Sequence, residues 1–258
     1  MSDYIALFLA EQGIRYAFAV TGGASIHMIH SIAERDDIDY ICPHHEQGGA
    51  MAADGYARVS GGLGCAIATS GPGATNLITG ICGAWFDSVP VLYLTGQVTT
   101  SRLKGDTGVR QIGFQETEII PMVRHVTKYT IQISDASQIR RELEKAVHMA
   151  REGRPGPVVV DIPDDLQRAD IDVAGLEGFT PPETADNPGA EGLGGKVAQC
   201  LSLLQQAERP VLMVGWGVRL SGAEKDFMTL ADGLGFPILP SWAAMDMCDN
   251  DHPLLVGG

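Results

Sequence analysis

The stretch LGCAIATSGPGATNLITGICGAWFDSVPVLYLT, residues 63–95, decides the fold. It opens on a short apolar run at 63–69 and breaks at Ser70-Gly71-Pro72-Gly73. A helical pattern follows at 74–85, and a second apolar run at 89–95. Two buried strands joined through a helix must run parallel, because a crossover returns the chain to the same edge of the sheet. Between Arg58 and Asp87 no residue is charged. A membrane span is still not expected, since the glycine-proline turn interrupts the stretch and each apolar run is shorter than the ~20 residues a bilayer requires.

The same alternation extends outward. Apolar runs recur at 16–20, 38–42 and 157–162, with a further candidate strand at 127–133, and helical patterns lie at 24–33, 46–59 and 137–151. This predicts an α/β fold with a doubly wound, mostly parallel sheet, helices on both faces, and ligand loops at the carboxyl ends of the strands. After Asp161-Ile162-Pro163 the composition changes. We read residues 1–170 as one domain, 171–192 as a linker rich in proline, glycine and acids, and 193–258 as the start of a second α/β domain. In that second part helices are expected at 196–207 and 223–234, and strands at 210–215 and 237–239. The stretch is shorter than the ~100–150 residues of a typical domain, so the sequence is expected to be a piece of a longer chain.

Composition narrows the function classes. Of 258 residues, 45% are apolar, and 18 lysines and arginines stand against 32 acids, a formal charge of −14 with no basic patch. Nucleic acid is therefore not an expected partner, nor is a membrane. The five cysteines are scattered without a CxxC pair, as reduced thiols of a cytoplasmic protein would be. Residues 1–13 contain Asp3 and Glu11 and lack the basic start of a secretion signal, so they read as a helix.

Three segments carry candidate chemistry. His44-His45-Glu46-Gln47-Gly48-Gly49 opens a helix of small residues that runs to Arg58. On its own Glu46 is an ordinary first-turn acid favoured by the helix dipole, and no HExxH spacing supports a metal. Ser70-Gly71-Pro72-Gly73-Ala74-Thr75-Asn76 is a glycine-rich strand-to-helix turn without the lysine of a phosphate loop. Gly113-Phe114-Gln115-Glu116 follows further along. Taken singly, Thr69, Pro72, Asn76, Phe114 and Gln115 are a strand-end hydroxyl, a turn proline, a helix-start amide, a core aromatic and a solvated glutamine.

In order, spacing and identity, these segments together with Gly22-Gly23-Ala24 resemble the acetolactate synthase family of thiamine diphosphate enzymes. The resemblance covers about the first 170 residues and continues more loosely to Gly258. It implies a thiamine diphosphate-dependent lyase or transferase, a decarboxylase and carboligase that acts on a 2-keto acid such as pyruvate. Glu46 falls on the family's activating glutamate, whose carboxyl shares a proton with the cofactor's aminopyrimidine ring. Thr21 and Gly22 in the first glycine turn, and Thr69, Pro72 and Asn76, match cofactor-binding positions. Phe114 and Gln115 match positions that face the reacting centre, and with Glu46 they form the expected catalytic set.

The resemblance also implies a homodimer or homotetramer and a magnesium ion held with the diphosphate by a carboxyl-terminal domain outside this sequence, so that these residues alone are expected to be inactive. No metal ligand is assigned within the chain, because Gly105-Asp106-Thr107-Gly108 lacks the family's Gly-Asp-Gly pattern. Gly215-Trp216-Gly217 stands where several relatives bind FAD or a nucleotide, which leaves FAD open. A proline usual in the first glycine turn is replaced here by Val20-Thr21-Gly22-Gly23, and this leaves the substrate open. The alternatives are acyl transfer to an activated keto-sugar or other carbonyl acceptor, and a catalytically silent dimerising module.

Overall fold

A computed structural model describes residues 1–182 and 192–257. The chain divides into two compact units, Met1–Pro181 and Pro182–Gly258. In the first, six strands form one sheet: β1 (Tyr16–Ala19), β2 (Asp39–Ile41), β3 (Gly64–Ala68), β4 (Val91–Gln97), β5 (Tyr129–Gln132) and β6 (Val158–Pro163). Their order is β2-β1-β3-β4-β6-β5 and every pairing is parallel. The expected α/β sheet is thus observed, including the strand expected at 127–133.

Alternation along the strands feeds two cores. Cys65, Ile67, Leu92, Leu94, Val158, Val160 and Ile162 face one side, where α1 (Ser2–Glu11), α2 (Ile26–Ala33) and α7 (Ile139–Arg151) cover them. Ala66, Ala68, Val91, Tyr93 and Val159 face the other, under α3 (Glu46–Ser60), α4 (Pro72–Asn76), α5 (Ile78–Asp87) and α6 (Ile119–Val123). Small residues set this second layer close to the sheet. A β-carbon on Gly64 would lie 2.2 Å from the Ala53 carbonyl oxygen, and one on Gly80 would lie 2.3 Å from Ala50 Cβ. The position of α3, and of Glu46 at its start, is therefore fixed by contact with β3 and α5.

Two boundaries differ from expectation for local reasons. The helix expected at 74–85 is two helices, because Leu77 N–H bonds the Ala74 carbonyl at 3.2 Å in a tightened turn that ends α4. The first unit also runs past residue 170. Ile171, Val173 and Leu176 pack against its larger core, beyond the short α8 (Asp164–Gln167), in a stretch where Asp172 and Gly175 interrupt the apolar residues. The rest of the expected linker, at 183–191, lies outside the described residues.

The second unit consists of α9 (Leu193–Gln206), β7 (Leu212–Val214), α10 (Trp216–Leu220), α11 (Glu224–Leu234) and β8 (Ile238–Pro240), with β7 and β8 parallel. Val214, Ala231, Ile238 and Ala244 form its small core. Among the described residues no helix is long and apolar enough to cross a membrane.

Candidate active site

The chain leaves β1 toward β2 on one side and β3 toward β4 on the other, so strand order reverses between β1 and β3. In an open parallel sheet that reversal opens a crevice at the carboxyl ends. Two turns flank it, residues 20–25 after β1 and 69–73 after β3. They are fitted to each other: Ala24 N–H donates to Thr69 Oγ1 at 3.1 Å, and a β-carbon on Gly22 would lie 2.4 Å from Thr69 Cβ. The first turn also rests on β4, since a β-carbon on Gly96 would lie 1.8 Å from the Ala24 carbonyl oxygen.

Glu46 is the first residue of α3, behind an N-cap in which His45 Nδ1 accepts Gln47 N–H at 3.1 Å. Its half-buried carboxylate receives the Asn76 amide, Nδ2 to Oε2 at 2.9 Å. The other oxygen, Oε1, faces Gly73, 3.4 Å from where a β-carbon would sit, while Thr69 Cγ2 is 2.8 Å from the same point. Thr69 and the carboxylate thus both border Gly73, and among the described residues Oε2 is held by Asn76 while Oε1 has no hydrogen-bond partner. Such a group can accept and return a proton without losing its orientation.

On the other side of the 69–73 turn is a cavity of about 390 Å³, within the range that holds small ligands, lined among others by Gly23, Thr69, Gln97, Arg102, Phe114 and Gln115. Its wall is the loop after β4, and three side chains brace that loop. Gln97 accepts Val98 N–H at 2.9 Å and donates to the Thr117 carbonyl at 2.8 Å, joining the two ends. Within the loop, Glu116 accepts Lys104 N–H at 2.6 Å and Ile112 N–H at 2.8 Å. Asp165 takes the backbone N–H and hydroxyl of Thr100 at its foot.

Gln97 is itself held by a buried acid. Asp161 Oδ2 accepts Gln97 Nε2 at 3.1 Å and Gln132 Nε2 at 2.8 Å, and Oδ1 accepts the Thr95 hydroxyl at 2.6 Å. Burial pushes the Asp161 carboxyl up to about 6 even though these three donors favour its charged form.

The structure brings Thr69, Phe114 and Gln115 together in the cavity and sets Glu46 and Asn76 in contact beside it. Phe114 is 79% exposed, which removes its alternative reading as a core aromatic. Gly22 supports Thr69. Thr21 and Pro72 are exposed at the ends of the two turns and do not line the cavity. Sequence reading missed Gln97, Arg102, Glu116 and Asp161. The signal for Asp161 is an acid inside the apolar run Val158-Val159-Val160-Asp161-Ile162, which marks a buried and therefore partnered charge.

Among the described residues no three histidines, cysteines, aspartates or glutamates are grouped to hold a metal ion. In the second unit, Gly215 is the N-cap between β7 and α10, and Trp216 and Gly217 are the first residues of that helix.

Residues 1–122 match the family model described as thiamine pyrophosphate enzyme, N-terminal TPP binding domain, and residues 197–258 match that described as thiamine pyrophosphate enzyme, central domain. Similar proteins include an acetolactate synthase of Arthrospira platensis, 36% identical over 96% of this chain and 42% of its own length. A probable acetolactate synthase large subunit of Methanocaldococcus jannaschii is 36% identical over 99% of this chain and 42% of its own. The chloroplastic acetolactate synthase 3 of Brassica napus is 38% identical over 86% and 33%. The chain thus spans less than half the length of these relatives.

Proposed function

Since this chain belongs to the acetolactate-synthase-like thiamine pyrophosphate enzymes, we propose that it supplies the pyrimidine-binding side of an active site that decarboxylates a 2-keto acid such as pyruvate and joins the acyl unit to a carbonyl acceptor. The observation that carries this reading is the Glu46 carboxylate, held at Oε2 by Asn76 and, among the described residues, without a hydrogen-bond partner at Oε1 beside Gly73. Glycines at 22, 71 and 73, where a β-carbon would collide with Thr69 or Gln115, let those residues pack directly onto the two turns beside the carboxylate.

When bound, thiamine diphosphate supplies a thiazolium carbon that becomes nucleophilic on losing its proton. Glu46 Oε1 would hold the ring-nitrogen proton and take it back, while Asn76 keeps the carboxylate from rotating. Phe114 and Gln115 line the cavity beside Thr69, where the aromatic ring would shield a bound substrate and the amide would meet a substrate oxygen. Magnesium belongs to the diphosphate end, which residues outside those described here would hold.

The proposal includes self-association as a dimer or higher oligomer through α3 and α5. Met51 is 51% exposed, Val59 91% and Phe86 70%. Gly55 and Gly83 lie mid-helix with nothing within 4 Å of a β-carbon. Each such glycine costs a helix ~1 kcal/mol, an expense that close approach of a second helix pair would account for. Cytoplasmic residence is also proposed, supported by five cysteines that are all free.

The direct test is deuterium exchange at C2 of thiamine diphosphate, followed by NMR in the holoprotein with magnesium. Exchange much faster than in the free cofactor is expected, together with carbon dioxide release from pyruvate. Exchange at the free-cofactor rate would overturn the reading.

A further inference from the structure

Within an acidic protein of formal charge −14, the proposed substrate is an anion, and the cavity beside Thr69 contains one cation. Arg102 is the only lysine or arginine among its lining residues. The only acid in that lining, Asp164, is already engaged, with Arg168 Nη2 at 2.9 Å and His27 Nε2 at 3.4 Å. Among the described residues the Arg102 guanidinium has no carboxylate partner and donates no side-chain hydrogen bond, whereas the exposed Arg168 is paired with Asp164.

Its backbone, by contrast, is fixed on both sides. Arg102 N–H bonds the Thr99 carbonyl at 2.8 Å and its carbonyl accepts Gly113 N–H at 2.9 Å, next to Phe114. Two residues further back, Asp165 holds Thr100 at 2.9 Å through its N–H. A long cationic side chain is thereby mounted on a braced turn and presented to a cavity whose polar walls, apart from the engaged Asp164, are uncharged, Gln97, Thr99 and Gln115 among them.

We propose that Arg102 is a specificity-determining residue that receives the carboxylate of the 2-keto acid. The planar guanidinium matches a carboxylate in bidentate fashion. Nothing else lining the cavity offsets a negative charge. The inference rests on the functional reading above and adds the group that makes the site select acids over neutral carbonyl compounds. The same cation could meet a different anion, the cofactor's diphosphate, and the test separates the two.

Saturation-transfer NMR on the holoprotein with thiamine diphosphate and magnesium would compare lactate, an unreactive carboxylate of pyruvate's size, with lactamide, its uncharged counterpart. About tenfold tighter binding of lactate is expected, as for one charge-assisted contact. The preference should vanish in Arg102→Gln and be partly retained in Arg102→Lys, with thiamine diphosphate affinity unchanged in both. An undiminished lactate preference in Arg102→Gln, no preference in the unmodified protein, or a loss confined to thiamine diphosphate affinity would each overturn the proposal. C2 exchange measured on the same samples reports on Glu46. Loss of lactate preference without any C2 exchange in the unmodified protein would leave Arg102 as an anion site and remove the thiamine reading. Normal C2 exchange with undiminished preference would do the reverse.

Discussion

Gln115 stands over Gly71 so closely that a β-carbon on Gly71 would lie 2.7 Å from Gln115 Cβ and 2.9 Å from the Gln115 carbonyl oxygen. Both residues have positive φ, +67° and +59°. For glycine this costs nothing, whereas for glutamine it is a strained conformation of ~1–3 kcal/mol that the surrounding loop must hold. The turn after β3 and the tip of the loop after β4 are therefore shaped against each other, and Thr69, Phe114 and Gln115 line one cavity as a result.

Gly71→Ala should destabilise the first unit by ~1–3 kcal/mol, since it adds both an overlap and an unfavourable φ. Urea unfolding measures the loss. Because the overlap falls on Gln115, hydrogen exchange at residues 113–117 should rise beyond what the global destabilisation explains.

Glu46→Gln should reduce turnover and cofactor C2 exchange by on the order of 10²-fold or more while leaving the circular dichroism spectrum unchanged, because an amide cannot take a proton and return it. Asn76→Ala should have a smaller effect of the same kind, since it frees Oε2 without removing the acid. Equal losses in the two variants would mean that orientation of Glu46, and not its proton, is what matters.

Asp161 gives stability a pH dependence of unusual sign. Its folded value of about 6 lies above its ordinary 3.8, so the folded chain holds this proton more tightly than the unfolded one. The contribution is fully present below pH ~4 and is lost as pH rises through about 6, a change of roughly 3 kcal/mol as an upper bound. Compared with Asp161→Asn, the unmodified protein should gain stability as pH falls from 7 toward 4. Urea midpoints that stay parallel across this range would contradict it.

Gly55→Leu separates folding from association. A better helix former should leave each subunit as stable or more stable, by up to ~1 kcal/mol, while its bulk blocks the approach of a second helix pair. Sedimentation velocity should show the unmodified protein as a dimer and the variant shifted to monomer. A monomer in both would remove α3 and α5 as the interface.

Much of this was legible in the sequence because it is local. Periodicity in 63–95 marks two parallel strands and a helix, and Ser70-Gly71-Pro72-Gly73 marks the turn between them. The family motifs then bring Glu46, Thr69, Asn76, Phe114 and Gln115 to one region. Contacts between distant segments were not legible. Nothing in the sequence pairs Gln97 with Thr117 and Asp161, or places Arg102 in the cavity, because these depend on which strands become neighbours at the carboxyl edge. The start of the expected linker shifted for a related reason, since Ile171, Val173 and Leu176 declare themselves apolar only where a core meets them.

The Gln97 amide, which joins Val98 N–H to the Thr117 carbonyl, also bears on how this protein can diverge. A loop whose two ends meet at one side chain enters and leaves the sheet at the same place whatever its length. Lengthening such a loop costs only ~0.6 kcal/mol per doubling. Insertions and deletions between Lys104 and Ile112, the two residues bridged by Glu116, can therefore be absorbed without disturbing β4, β6 or the cavity-lining Arg102, Phe114 and Gln115. Descendants of this chain would be expected to vary in length in that segment, with the residues of the sheet and the cavity left as they are.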